Sequence, residues 1–489
     1  MSSPGAALTP NEKSRLADLG ILLGIAAAVI LLHLLTNSRY GFHRDELQFL
    51  SDARHLDWGF GAYPPMTPFF EHIGLSLFGL SMVGLRIFSV LAQAAAIVLT
   101  GLMAKELGGA RLAQASAALA VAFSPLPLVD GTMFQYTSFD LLWWVLAAYF
   151  VVRLLKSDDP RWCIGVGVAI GLGLQTKYTI VFYVAGIVAG IVFTSARRFL
   201  KSAWFWAGIA LALAIFLPNL LWQVHHNLIS YDFLRHIHAR DVAMGRANGF
   251  IRDQFLFCAN LVAAPIWLAG IAGYLRSRRY RMLAFMYLVA FALLFLGAVV
   301  CERWLISISL PIRRTVRAIY FAAFALNAAY VCAIALPLAA NGPLRDFALS
   351  HNSDLREEIG WDDLVHTTAQ IRDSLTSDQQ TNFGIVVSNY GEQGAIEMLG
   401  PAYHLPPPIS TTNSAWLRGY PSPQPSTLIV IGFSGVDADA IFTGCRLAAH
   451  NGNSMGIRND ESELNPDIFV CGPTRKPWPI FWQNQQNYG

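Results

Sequence analysis

Two adjacent carboxylates, Asp45 and Glu46, follow closely after the first apolar stretch of the chain. They lie in GFHRDELQFL, ten residues past the run from Ile21 to Leu35. Because an ionised pair is costly to bury in a bilayer, we expect both side chains at the membrane surface, facing water or a cavity. A carboxylate in such a place can act as an acid or a base, so this pair is the feature that most suggests an enzyme.

A short helix is predicted to hold this pair. Leu47, Leu50 and Ala53 recur at helical spacing, which is typical of a helix lying in the membrane interface. Aromatic side chains that settle at headgroup depth follow in the same loop: Trp58, Phe60 and Tyr63. Pro64-Pro65 then breaks the helix and turns the chain back. By this interpretation the tyrosine and the two prolines shape the loop.

The composition is that of a polytopic α-helical membrane protein. Of 489 residues, 54% are apolar and 14% are charged, and the mean hydropathy is +0.42. A soluble domain carries more charge. The net charge of +3 is too small to indicate a nucleic-acid partner, and the cysteines and histidines form no cluster with the spacing of a zinc or redox site.

Ten apolar runs approach the ~20 residues that a helix needs to cross a bilayer core of ~30 Å. They are residues 17–36, 82–104, 111–129, 137–155, 162–176, 178–195, 203–223, 254–274, 282–301 and 318–339. Alternate connections between them are rich in Arg and Lys, which predicts that these connections are cytoplasmic. The others are then expected on the outer face: residues 37–81, 130–136, the turn near Lys177 and 224–253.

The character of the chain changes at about residue 340, where polar residues and proline replace the long apolar runs. We therefore predict a transmembrane domain over residues 1–340 and a water-exposed C-terminal domain over residues 341–489. Helical periodicity and short β-branched runs in the second part predict a small α/β unit. Cys445 and Cys471 can pair if this domain is extracytoplasmic.

Several motifs carry a family resemblance: HRDELQFLSDARHLDWG, YPPMTPF, GLGLQTKYTIVF, LPNLLWQVHHNLISYDFLRHIHAR and SNYGEQGAIEMLGP. In this order and spacing they resemble the bacterial family 39 membrane glycosyltransferases. That group is similar to the protein O-mannosyltransferases and to the aminoarabinose transferases of lipid A. The resemblance implies the multi-spanning GT-C fold, with about 10–11 transmembrane helices and a small C-terminal α/β domain.

The resemblance also implies a reaction. A sugar would move, with inversion, from a polyprenyl-phosphate carrier to a hydroxyl of a glycan, lipid or protein at the outer face of a bacterial plasma membrane. Asp45 matches the acidic residue of the family's first outer loop and would act as general base, while Glu46 would bind or orient the acceptor. The lipid phosphate needs cations near the bilayer surface. The expected substrate-binding residues are Lys177, Arg235, Arg240, Asp140 and Tyr63.

Each candidate also has an interpretation without function. Asp45 and Glu46 can pair with His43 and Arg44 as an interfacial charge cluster. Lys177 can be an anchor whose stem lies along the membrane and whose ammonium reaches water.

Asp140 is as well suited to cap the start of its helix as to bind substrate. Four histidines of one outer loop can be metal ligands or simply solvated: His225, His226, His236 and His238. A divalent ion at the acidic pair stays open, but no cluster of ligands supports it, so no cofactor is assigned.

The family pattern is broken near residue 296. Related chains carry a lysine, a pair of tyrosines and a tyrosine-proline helix before the segment similar to LGAVVCERWL, whereas here FALLFLGAVVCERW runs on without them. Counting ten spans also places the basic segment from Glu302 to Arg317 outside and the C-terminal domain inside. An eleventh crossing, made by two broken helices over residues 282–312, corrects both faults. A deletion would instead remove part of the lipid-phosphate pocket.

A function of another class is a polyprenyl-lipid-binding transporter or an inactive transferase relic. A transporter places ionisable residues at mid-membrane in discontinuous helices. Here the spans are nearly free of such residues and the acidic pair lies at the rim. The sequence therefore favours the transferase.

Overall fold

The computed structural model describes residues 10–245, 264–298, 314–483 and 485–489. Its membrane part contains fourteen helices in the described residues: α1 (Pro10–Thr36), α2 (Arg44–Arg54), α3 (Met66–Phe78), α4 (Met82–Glu106), α5 (Arg111–Ala122), α6 (Pro125–Asp130), α7 (Tyr136–Ser157), α8 (Trp162–Leu174), α9 (Ile180–Val192), α10 (Ala203–His225), α11 (Ile229–Ala243), α12 (Ala264–Arg276), α13 (Arg281–Ala298) and α14 (Arg314–Ala335). Each of the ten predicted apolar runs overlaps at least one of these helices. The predicted α-helical membrane architecture is confirmed.

The helices differ in length. Within the described residues, α1, α4, α7 and α10 are long and apolar enough to cross a membrane. A fifth candidate is α9 together with the 3-10 helix that follows it, although the two are bent by 100°. Helices α8 and α9 have 13 residues each, or roughly 20 Å, which is shorter than a bilayer core of ~30 Å.

The loops gather at two ends of the helix bundle. One end, called here the basic face, holds three groups of ion pairs between consecutive connections: Lys105 and Arg111 with Asp18, Arg153 and Lys156 with Glu106, and Arg198 with Asp158. The other end, called the Asp45 face, holds the loop 37–81. There the backbone N–H of Met66 donates to the carbonyl of Gln175 at 2.9 Å. The structure thus brings three of the four predicted basic connections together at one end of the bundle.

Helix α2 carries the acidic pair, as predicted. His43 caps its N-terminus, because its ring nitrogen accepts from the N–H of Asp45 while the Glu46 carboxylate accepts from the N–H of His43. Leu47 and Leu50 of the same helix are fully buried. The capping contacts and the apolar stripe together fix both the start and the rotation of α2.

The C-terminal domain is built around a five-stranded sheet. Its strands are β1 (Phe383–Val387), β2 (Pro408–Ser410), β3 (Thr427–Ile431), β4 (Arg446–His450) and β5 (Asp467–Cys471). They lie in the order β2-β1-β3-β5-β4; β1 is parallel to β2 and β3, while β5 is antiparallel to β3 and β4. Helices surround the sheet: α15 (Pro343–His351), α16 (Trp361–Asp373), α17 (Ser377–Thr381), α18 (Tyr390–Leu399), α19 (Gly435–Ile441), α20 (Asp460–Glu463) and α21 (Trp478–Gln483). The predicted α/β unit and the pairing of Cys445 with Cys471 are confirmed.

The C-terminal domain packs directly on the loop 37–81. Leu47 and Leu50 of α2 belong to the same buried cluster as Ile396 of α18 and Ile385 of β1. Both parts therefore lie on the Asp45 face, which requires an even number of crossings between them. Ten spans leave nine crossings after α1, an odd number, whereas eleven spans leave the even number that this arrangement requires. The break expected near residue 296 falls at the end of α13, and residues 299–313 lie outside the described residues.

Candidate functional site

Asp45 presents a partly exposed carboxylate that is held at both of its oxygens. Gln135, just before α7, donates from its amide nitrogen to Oδ2. Tyr390, the first residue of α18, donates from its hydroxyl to Oδ1 at 3.0 Å. The side chain keeps 29% of its surface exposed. A carboxylate accepts about four hydrogen bonds, so one donor on each oxygen leaves room for a further proton donor.

Glu46 occupies a different environment from its neighbour. Its side chain is buried, and the guanidinium of Arg86 donates to it from Nε at 2.8 Å and from Nη2 at 2.6 Å. The backbone N–H groups of Phe134 and His43 each donate to it at 2.7 Å. Both oxygens thus have hydrogen-bond donors within the protein. In this conformation Glu46 does not face the molecule that would receive the sugar, contrary to the expectation that it binds or orients this molecule. The reason is that Arg86, on the packed face of α4, offers a buried counter-charge.

The acidic pair does not fit a shared metal ion. Glu46 forms a buried ion pair with Arg86, so of the two residues only Asp45 has a carboxylate that a metal ion could reach. Within the described residues, no group of three or more histidine, cysteine or acidic side chains has the arrangement of a metal site.

Lys177 lies in the turn between α8 and α9, on the Asp45 face. Its ammonium stands over the ring of Tyr136, 4.3 Å from the centroid, and makes no hydrogen bond or ion pair within the described residues. Tyr136 directly follows Gln135, which holds Asp45. One segment of chain therefore contacts both the partly exposed carboxylate and the unpaired cation.

Asp140 lies beside this turn. It accepts from the indole of Trp144 at 3.0 Å and from the hydroxyl of Thr179 at 3.1 Å. The helix begins at Tyr136 with Gln135 as its N-cap, so the interpretation of Asp140 as a cap is wrong. Asp140 instead ties α7 to the turn that carries Lys177.

Tyr63 contributes to the architecture of the loop and not to an open surface. It is 5% exposed, and its hydroxyl donates to Asp52 at 2.6 Å. Arg418 of the C-terminal domain binds the other oxygen of Asp52 at 2.5 Å. Burial raises the pKa of Asp52 to about 6, against the opposing effects of Arg418 and Tyr63. Tyr63 is therefore a loop-shaping residue, and its place among the substrate-binding residues is corrected.

Arg235 and Arg240 lie on α11, apart from the acidic pair. The guanidinium of Arg235 stacks on Tyr231, 5.8 Å from the ring centroid. Arg240 pairs with the neighbouring Asp241 at 3.6 Å. No contact within the described residues joins either arginine to Asp45 or Lys177, so the structure does not bring them into this site.

Four residues of the site were missed in the sequence: Arg86, Asp130, Gln135 and Tyr390. Asp130 ends α6 and is buried; Thr137 donates to one of its oxygens at 2.5 Å, and the other has no hydrogen-bond partner. Burial raises the pKa of Asp130 to about 7, although Thr137 and Lys177 oppose this shift. The sequence offered one signal, since Asp130 opens the predicted outer connection 130–136.

Comparisons with known proteins fit this geometry. Residues 62–222 match the family model described as dolichyl-phosphate-mannose-protein mannosyltransferase. Lipid A galacturonosyltransferase RgtD of Rhizobium johnstonii is 27% identical over 191 residues, which are 38% of this chain and 39% of that protein. Undecaprenyl phosphate-alpha-4-amino-4-deoxy-L-arabinose arabinosyl transferase 1 of Pseudomonas fluorescens is 28% identical over 206 residues, 40% of this chain and 35% of that protein. The matches therefore span less than half the length of either relative.

A solved structure decides the fold. The crystal structure of ArnT from Cupriavidus metallidurans bound to undecaprenyl phosphate superposes with a TM-score of 0.50 at 14% identity, covering 92% of this chain and 98% of that one. The chain has the GT-C fold. The predicted resemblance to the membrane glycosyltransferases is confirmed, and at this identity the likeness to ArnT shows the fold alone.

Proposed function

We propose that this GT-C protein transfers a sugar from a polyprenyl-phosphate donor to a hydroxyl group of a glycan, lipid or protein, with inversion at the anomeric carbon. The observation that carries the proposal is the arrangement around Gln135 and Tyr136. This segment holds a carboxylate with free acceptor capacity, Asp45, and contacts the ammonium of Lys177, which has no ion-pair partner in the part of the chain that the structure describes. A base and an anion-binding group placed close together are what a displacement with a phosphate leaving group needs.

Asp45 would act on the acceptor. As the acceptor oxygen forms its bond to the anomeric carbon, its proton passes to the carboxylate of Asp45. Gln135 and Tyr390 keep both carboxylate oxygens in place, so little reorganisation accompanies the proton transfer. Attack opposite to the leaving group inverts the anomeric configuration.

Lys177 would act on the leaving group. The bond between the anomeric carbon and the phosphate oxygen breaks, and its electron pair stays on the lipid phosphate. The Lys177 ammonium makes no hydrogen bond or ion pair within the described residues, so it is available to bind this charge. Asp140 would keep the Lys177 turn in place through Thr179, and Glu46 would hold α2 through Arg86.

The proposed location is a bacterial plasma membrane, with the site facing the periplasm or the exterior. The pairing of Cys445 with Cys471 supports this orientation, because disulfides persist in oxidising compartments. The C-terminal domain that carries this pair, proposed over residues 341–489, lies on the Asp45 face. Its opposite, the basic face, has the arginine and lysine content typical of cytoplasmic loops.

Sugar transfer by the purified protein in lipid tests the proposal. Radiolabelled undecaprenyl-phosphate sugars serve as donors, including the aminoarabinose and galacturonic acid that appear in the names of the two curated relatives. We expect one donor to be consumed by the wild type and Asp45→Asn to abolish turnover while carrier binding persists. Asp57→Asn is the matched control, because Asp57 is an exposed aspartate of the same loop. Carrier binding without turnover across the whole panel overturns the proposal in favour of a transporter or an inactive relic.

A further inference from the structure

We infer that Tyr390 is a positioning residue for Asp45, so that the C-terminal domain completes the catalytic site of the membrane domain. The inference rests on the proposed function, in which Asp45 is the base. It assigns to the C-terminal domain a part in the reaction itself.

The contact between the two residues is direct. The hydroxyl of Tyr390 donates to Oδ1 of Asp45 at 3.0 Å, while Gln135 of the membrane domain donates to Oδ2. Each domain thus supplies one donor to the same carboxylate. Removing either donor frees one oxygen and allows the carboxylate to rotate about the bond that joins it to the side chain.

The position of Tyr390 is fixed by the start of α18. Asn389 caps this helix, and its side chain accepts from the N–H of Glu392, whose carboxylate in turn accepts from the N–H of Asn389. Tyr390 is the first residue after the cap. Its backbone therefore cannot shift without breaking two reciprocal hydrogen bonds.

The rest of α18 lies against α2 with no gap. A Cβ added at Gly394 would stand 2.3 Å from the carbonyl oxygen of Leu47, and one added at Gly391 would stand 3.1 Å from the Cβ of Arg44. Only glycine permits this close approach of the two helices. The distance from Tyr390 to Asp45 is thus set by backbone packing.

A second contact holds the residue next to Asp45. The guanidinium of Arg44 stands over the ring of Tyr390, 4.9 Å from the centroid. It also pairs with Asp460 at 3.0 Å and with Glu461 at 3.8 Å, both of α20. The C-terminal domain therefore contacts the side chains of both Arg44 and Asp45 in α2. This arrangement is expected if the domain orients the base.

The test compares Tyr390→Phe with the wild type over a pH series, with turnover and the KM for the donor measured separately in lipid. A hydrogen bond to a charged group is worth enough to change a rate by about tenfold or more. We expect kcat to fall by about that factor at an unchanged donor KM. Because a donor favours the charged form of a carboxylate, the acidic limb of the pH–rate profile should move to higher pH. Tyr420→Phe is the control, since the ring of Tyr420 packs on Trp478 and Trp482 inside the same domain.

The outcomes separate the two proposals. No transfer by the wild type from any donor overturns the proposed function. An active wild type whose Tyr390→Phe variant has the same rate and the same pH profile overturns the positioning role alone. A lower rate with an unmoved pH profile and a lower unfolding temperature also overturns it, because the tyrosine would then serve only the fold.

Discussion

The Nη2 atom of Arg86 lies 2.6 Å from Oε2 of Glu46, and both side chains are almost completely buried. The same guanidinium donates to the backbone carbonyls of Asn37 and Gly41 at 2.6 and 2.9 Å. Arg86 therefore binds two carbonyls of the chain between α1 and α2 and the carboxylate of Glu46 in α2. The acidic residue next to the proposed base is in this way part of an anchor that fixes the whole loop.

Arg86→Met should destabilise the protein strongly. It leaves the Glu46 carboxylate buried without its counter-charge, which costs about 3–5 kcal/mol. Thermal unfolding in detergent or lipid measures the effect. The double variant Arg86→Met with Glu46→Gln should regain part of the loss, because it removes the uncompensated charge as well. Equal unfolding temperatures for Arg86→Met and the wild type would show that the pair is not an anchor.

Lys177→Met should weaken use of the donor without harming the fold. The ammonium has no hydrogen-bond or ion-pair partner within the described residues, so its removal breaks no such contact. The loss of a charged contact to a phosphate should raise the donor KM by about tenfold or more. Arg235→Met is the matched control, since this exposed arginine stacks on Tyr231 and makes no contact with Asp45 or Lys177 within the described residues. If both variants bind the donor as the wild type does, Lys177 is only a membrane anchor.

Gly394→Ala should loosen the C-terminal domain from α2 and lower sugar transfer. The new methyl group would meet the Leu47 carbonyl at 2.3 Å, and overpacking of this kind costs about 1–3 kcal/mol. Gly435→Ala provides the comparison, because the atoms nearest to an added Cβ there, at 3.6 and 4.0 Å, are in ordinary contact. Limited proteolysis and activity measure the two effects. An unchanged Gly394→Ala protein would contradict the close packing of the two helices.

Asp130 should make stability depend on pH. Burial raises the pKa of its carboxyl from 3.8 to about 7, so the folded protein binds a proton more tightly than the unfolded chain does. Stability should therefore fall as pH rises from about 4 to about 7, by up to about 1.4 kcal/mol per pH unit. Asp130→Asn keeps an oxygen for Thr137 and removes the titration. The unfolding temperature of the variant should change less between pH 5 and pH 8 than that of the wild type, and a slope equal to that of the wild type would reject this assignment.

Local features of the site were predictable, and contacts between distant segments were not. Helix α2 follows from a capping residue and an apolar stripe that are both visible within twelve residues of sequence. That Asp45 is partly exposed while Glu46 is buried cannot be predicted from these twelve residues. Consecutive helical residues point about 100° apart, and Arg86, the partner of the buried Glu46, lies in α4. Tyr390 is separated from Asp45 by 345 positions. Only the docking of two domains brings them together, and no local pattern encodes it.

The position of Tyr390 late in the chain has a consequence for biosynthesis. At about 5–20 residues per second, a ribosome reaches Tyr390 roughly 20–70 s after Asp45. During that interval Asp45 has no partner for its Oδ1 atom from the C-terminal domain. In the proposed transfer, a nascent chain whose first helices are already inserted therefore has an incompletely oriented base. Folding of the last 150 or so residues is the step that adds the hydrogen bond from Tyr390 and so completes the orientation of Asp45.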